Sequence, residues 1–170
     1  MVRDKIVKAG FDTNVFNNRP LLEALLQKPQ STNHRAIRLQ LYLSPIVLTE
    51  LSVKLFREGW EDSAVIQYLQ EFPFQLIPYT EHPTFAVAHL VVTEGITFRE
   101  HARDLMIGAQ YLTEECIIVS ENIKHFTWAT LESATIQKYM VCTDDEKRKD
   151  LPQLVYTPNQ FWTHLKSYFE

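Results

Sequence analysis

Apolar residues recur along this chain in short clusters, each closed by polar residues able to turn the backbone. The first cluster, Lys5 to Phe11, ends in Asp12-Thr13-Asn14, and Asx-type turns commonly close a strand in this way. A short helical pattern follows from Leu21 to Leu26, and Asn33 is placed to cap another helix that runs to about Leu41. Leu43 to Val47 is a short apolar run broken by Pro45. Thr49 then stands as the N-cap or first-turn residue of a helix carrying Glu50, Leu51, Leu55 and Phe56, which Gly59 ends. Glu61 to Phe72 repeats the amphipathic rhythm, and Phe74 to Pro78 reads as a strand. His82 to Thr93 has helical period and stops at Gly95, and Arg99 to Leu112 predicts a buried helix through Leu105, Ile107, Ala109 and Leu112. Ile117-Ile118-Val119 is β-branched, brief and ended by Ser120, the clearest strand of all. Beyond it, Phe126 to Met140 reads as strand then helix and Thr143 to Asp150 as a charged excursion. Leu154 to Tyr156 reads as a strand, and Pro158 to Phe169 as a terminal helix with Pro158 near its start.

Short apolar strands separated by helices predict an α/β fold with a mainly parallel sheet, because parallel neighbours need crossover connections. Ligands in such sheets bind at the carboxyl ends of the strands, which directs attention to Asp12, Glu50 and the stretch Ser120 to Asn122. At 170 residues the chain fits one domain. Its formal charge of −4 provides no overall basic field for nucleic acid, so a polyanionic substrate requires a local cationic rim or metal ions. Only 4 glycines are present, and both glycine-rich phosphate-loop patterns are missing. Cys116 and Cys142 form no CxxC pair, which points to a reducing, cytoplasmic setting rather than a disulfide framework or zinc ribbon. The charged start Arg3-Asp4-Lys5 is unlike a signal peptide, and no run approaches the roughly 18 apolar residues of a membrane span, so no membrane association is expected.

Four segments carry the chemistry: Phe11-Asp12-Thr13-Asn14-Val15-Phe16, Val47-Leu48-Thr49-Glu50-Leu51, Asp104-Leu105-Met106-Ile107-Gly108-Ala109, and Val119-Ser120-Glu121-Asn122-Ile123-Lys124-His125-Phe126. In order and spacing they resemble the four motifs of PIN-domain ribonucleases of the VapC-like kind, and Val155 to Phe161 resembles the closing strand and helix of that family. The resemblance implies a three-layer α/β/α sandwich over residues 1–170, with 127–153 as an insertion relative to compact members. It also implies a metal-dependent endoribonuclease, either the toxin of a toxin–antitoxin pair or a stand-alone enzyme, with RNA as substrate and an antitoxin or a second copy as partner. Asp12, Glu50 and Asp104 would hold Mg²⁺ or Mn²⁺, Glu50 and Asp104 each from the first turn of its helix. Hard oxygen ligands suit these ions, and a bound ion offsets the charge of phosphodiester cleavage.

Asn122 and His125 depart from the family pattern, where carboxylates are common. One negative charge is therefore missing, which favours a single resident ion at rest, with a second ion open to recruitment by RNA phosphate and Asn122 orienting water through its amide. It also leaves open a weakened PIN-like module that binds RNA or protein without cutting. Singly, each acid has a structural explanation as a turn former or helical acid; their joint order argues for a site. Ser120, Thr13 and Asn14 are weaker candidates, explained nearly as well by local turn bonding. His101 and His125, each three residues from a site position, raise a zinc or general-base reading that lacks further nitrogen or sulfur ligands; His82 and His89 read as surface or core-edge residues. Arg19, Lys54, Arg57, Arg103 and Lys124 are candidate phosphate contacts, although solvated surface charge explains each one singly. A phosphatase or receiver-domain reading fits worse, because Asn14 stands where the former needs a second Asp and Asp4 lacks the adjacent acid the latter needs.

Overall fold

A computed structural model describes residues 5–27, 37–72, 74–139 and 153–169. Five strands form one sheet: β1 (Lys5–Phe11), β2 (Ile37–Leu43), β3 (Phe74–Leu76), β4 (Ile117–Val119) and β5 (Val155–Tyr156). Their order is β3-β2-β1-β4-β5 and every neighbouring pair is parallel. From the central β1 the chain winds first toward β3, then returns to β4 and β5 on the other side. The switch therefore lies between β1 and β4, where a crevice opens at the carboxyl ends of an open parallel sheet.

Among the described residues the helices are α1 (Arg19–Gln27), α2 (Pro45–Arg57), α3 (Asp62–Gln70), α4 (Glu81–Glu94), α5 (Phe98–Thr113), α6 (Ala134–Tyr139) and α7 (Pro158–Phe169). Alternation along β1 assigns the layers. A Cβ on Gly10 would lie 2.2 Å from the Tyr111 ring of α5, so this face of the strand meets that helix. Phe11 points the other way, edge-on to Phe161 of α7 with ring centroids 6.2 Å apart. The helices thus cover both faces, the expected three-layer α/β/α sandwich. Val7, Ala9, Phe11, Ile118 and Val119 are buried at its centre. Among the described residues no helix is long and apolar enough to cross a membrane.

Three local expectations are overturned. Residues 37–43 form strand β2 and not the end of a helix capped by Asn33, which itself lies outside the described residues. The alternation Ile37, Leu39, Leu41, Leu43 is the period of a strand, and six residue pairings with β1 satisfy its backbone. Pro45 breaks no strand: it takes the first turn of α2, where its missing N–H costs no hydrogen bond, and Ser44 rather than Thr49 is the N-cap. Phe126 closes a 3-10 turn, Ile123–Phe126, where a strand was expected.

Candidate active site

Asp12 is the first residue beyond β1. Its N–H donates to the Val119 carbonyl at 2.9 Å, carrying the β1–β4 ladder one step further and fixing Asp12 at the switch-point crevice. Extended backbone there (φ −76°, ψ 159°) leads into the 3-10 turn Thr13–Asn17, and Oδ1 accepts the Thr13 N–H at 2.8 Å. Oδ2 accepts the Ser120 hydroxyl at 2.8 Å. With its side chain only 2% exposed, this carboxylate requires such donors, since a buried anion without them is costly. Asn14 braces the same corner: Nδ2 lies 3.3 Å from Ser120 Oγ, and Oδ1 accepts the Glu121 N–H at 3.0 Å.

Glu50 arrives on α2 and Asp104 on α5, each from the second turn of its helix rather than the first. The Glu50 helix starts at Pro45 rather than near Thr49, and Asp104 is the seventh residue of α5, so the charge of a helix N-terminus falls off before either carboxylate. What gathers the acids is Arg103. Its Nε donates to Glu50 Oε1, and Nη2 donates to Glu50 Oε2 at 2.6 Å and to Asp12 Oδ1 at 2.8 Å. Nη1 donates to Asp104 Oδ1 at 2.5 Å. Three carboxylates from three elements thus meet one planar guanidinium, the side chain best shaped for forked bonding to carboxylates. The Thr13 hydroxyl adds a bond to Glu50 Oε2, and His125 Nδ1 stands 3.3 Å from Asp104 Oδ2.

The electrostatics follow from these bonds. Burial pushes the Glu50 carboxyl up, but the bonds from Arg103 and Thr13 and the charge of Arg103 outweigh it, leaving the group below its ordinary value. The Glu50 hydrogen bond raises the Arg103 guanidinium, burial opposes, and Asp12 adds to the rise, so the arginine is charged at any accessible pH. Three negative groups face one fixed positive group, and the cup stays net acidic.

Beneath the cup, one side chain ties its three supports together. The Tyr111 hydroxyl donates to the Phe11 carbonyl at 2.6 Å and accepts the Ser44 N–H at 3.0 Å. Phe11 precedes Asp12, Ser44 caps the helix of Glu50, and Tyr111 stands two turns along α5 from Asp104, on the same face. Burial pushes its phenol well above the ordinary range, so the hydroxyl remains a donor.

The donor set of carboxylate and hydroxyl oxygens suits a hard divalent ion. Among the described residues, however, no three His, Cys, Asp or Glu side chains stand together as a ready-made ion site. From Glu50 an open groove follows α2, lined by Thr49, Val53, Lys54, Arg57 and Glu58.

No family model matches the sequence, and no curated protein matches it. Solved structures do. A chain of "VapBC2 from Rickettsia felis bound to a DNA fragment from their promoter" superposes with a TM-score of 0.50 at 16% identity, over 89% of this chain and 98% of that one. A chain of VapBC-1 from nontypeable Haemophilus influenzae superposes with a TM-score of 0.50 at 21% identity, over 72% of this chain and 92% of that one. The fold is PIN-like.

Within this PIN-like fold, Asp12, Glu50 and Asp104 come together at one guanidinium. Asn122 does not join them. It is exposed, its N–H donates to Ser120 Oγ at 3.0 Å, and its side chain makes no hydrogen bond to the cup among the described residues. Ser120, Thr13 and Asn14 do the bonding instead. Sequence reasoning leaves Arg103 as a candidate phosphate contact or a solvated surface charge, whereas it bonds the three acids; the dipeptide Arg103-Asp104 contains no local sign that the arginine turns inward. Arg19 pairs with Glu23 and Glu71, and Lys54 donates to Asn17 Oδ1 at 2.5 Å, while Lys124 is exposed. Of the two histidines, only His125 reaches an acid of the cup among the described residues. Cys116 is buried, which pushes its thiol up to about 12 and leaves it neutral; Cys142 lies outside the described residues.

Proposed function

We propose that this chain is a divalent-metal-dependent endoribonuclease of PIN-domain type that hydrolyses RNA phosphodiester bonds. One observation carries the reading: Asp12, Glu50 and Asp104 converge from β1, α2 and α5 at the switch point of a parallel sheet. These three side chains would hold Mg²⁺ or Mn²⁺, which when bound neutralises charge developing at phosphorus and lowers the pKa of water. Asp12, locked by Ser120 and the Thr13 N–H, is the rigid member; Glu50, partly exposed, faces the groove along α2. His125 stands beside Asp104 at the cup's edge, nearly half exposed. Lys54 and Arg57 on the groove offer phosphate contacts that position RNA without reading its sequence.

The shared fold with chains of VapBC complexes supports a toxin of a toxin–antitoxin pair with an antitoxin as partner; a homodimer and a cytoplasmic setting belong to the same proposal and rest on the family resemblance alone. Residues 1–170 are then a single PIN-like domain with an insertion at about 127–153, of which the described part includes α6. A weakened module that binds RNA or protein is the second reading, favoured by the exposed amide at Asn122 in place of a fourth carboxylate. Cleavage of RNA by purified protein with Mn²⁺ separates the two. Cleavage that disappears on chelation and in Asp12→Asn, Glu50→Gln and Asp104→Asn, with a smaller loss in Asn122→Ala, is the expected result. Tight RNA binding without cleavage establishes the module instead, and full metal-dependent cleavage by all three acid variants removes the site from consideration.

A further inference from the structure

The bonding pattern of Arg103 goes beyond a supporting ion pair. A single guanidinium uses Nε, Nη1 and Nη2 to engage all three carboxylates of the cup. Arg103 occupies Asp12 Oδ1, both Glu50 oxygens and Asp104 Oδ1, while Asp12 Oδ2 accepts from Ser120 and Asp104 Oδ2 faces His125. A divalent ion entering the cup therefore meets oxygens already engaged and is repelled by the guanidinium beside them. Asp12 also differs from the arginine in freedom to move. Asp12 is 2% exposed and pinned by Ser120 and Thr13, whereas the Arg103 side chain is 38% exposed and hangs on a long flexible stem. When the cations compete, the arginine is the partner able to withdraw.

We infer that Arg103 is an internal competitor of the divalent ion: it holds Asp12, Glu50 and Asp104 converged while no ion is bound, and gives up Asp12 and Glu50 when one arrives. The inference rests on the carboxylate-metal reading of the site. Arg103 is in this sense a positioning residue, because it acts on the ion only through the acids. Its consequence is a metal affinity held below what three converged carboxylates would provide alone. A chain without the arginine repels itself at the cup and regains stability from the ion.

Mn²⁺ titration by calorimetry, together with melting in chelator and in Mn²⁺, tests this on wild type, Arg103→Met, Arg103→Lys and Asp12→Asn, with no activity needed. Arg103→Met should bind Mn²⁺ roughly tenfold tighter or more, on the scale of losing one or two charge-assisted bonds. It should melt below wild type in chelator and show a larger rise on adding Mn²⁺. Arg103→Lys, which keeps the charge without the fork, should fall between the two and serves if the Met variant does not fold. A purely structural role for Arg103 would weaken Mn²⁺ binding on substitution, so equal or weaker binding in the folded variants overturns the inference while leaving the nuclease reading in place. Mn²⁺ binding undiminished in Asp12→Asn would put the ion elsewhere and overturn it too. Failure of both wild type and the Arg103 variants to bind Mn²⁺ removes the inference together with the metal reading.

Discussion

Replacing Tyr111 by Phe deletes one oxygen atom and leaves the ring in place against Gly10. That oxygen lies in a fully buried side chain and serves two backbone groups, the Phe11 carbonyl at 2.6 Å and the Ser44 N–H at 3.0 Å. A buried polar group deprived of its partner costs about 1–3 kcal/mol, so two such groups give about 2–6 kcal/mol. For a domain of this size about 1 kcal/mol corresponds to roughly 2–4 °C, which predicts a melting temperature about 4–24 °C lower. Urea denaturation followed by circular dichroism measures the change, and an unaltered m-value confirms that the compactness of both end states is kept. Phe11 leads into Asp12 and Ser44 starts the helix of Glu50, so the same variant should also bind Mn²⁺ more weakly. A stability change under about 0.5 kcal/mol would refute the account of Tyr111 as the tie beneath the cup.

Gly10→Ala drives a Cβ to 2.2 Å from the Tyr111 ring, which is itself held at its hydroxyl, and overpacking of this kind should cost about 1–3 kcal/mol or more by denaturant melts; a neutral result would mean that α5 can lift off β1. The Glu50 carboxyl is depressed in the folded chain below its ordinary 4.5, so the unfolded chain takes up the proton first. Its contribution is therefore present above about pH 4.5 and lost as pH falls through the lower folded value, and acid titration of stability in chelator should show a steeper decline for wild type than for Glu50→Gln.

Much of the fold and part of the cup were legible in the residue order. The strand at 117–119 and the helices carrying Glu50 and Asp104 follow from local pattern, and three acids at strand ends and on helices marked the site before any geometry was available. Even β2, misread as helix, has its period-2 alternation written in Ile37 to Leu43. Those features depend on neighbours in the chain, which is why the chain alone determined them. Arg103 depended on something else. Whether it reaches solvent or the acids is decided by where α5 lies relative to residues 91 and 53 positions away, Asp12 and Glu50. Tyr111 likewise meets partners 100 and 67 positions distant. Long side chains with several rotamers take their direction from the charges and carbonyls that packing brings near, and only the assembled layers put those within reach.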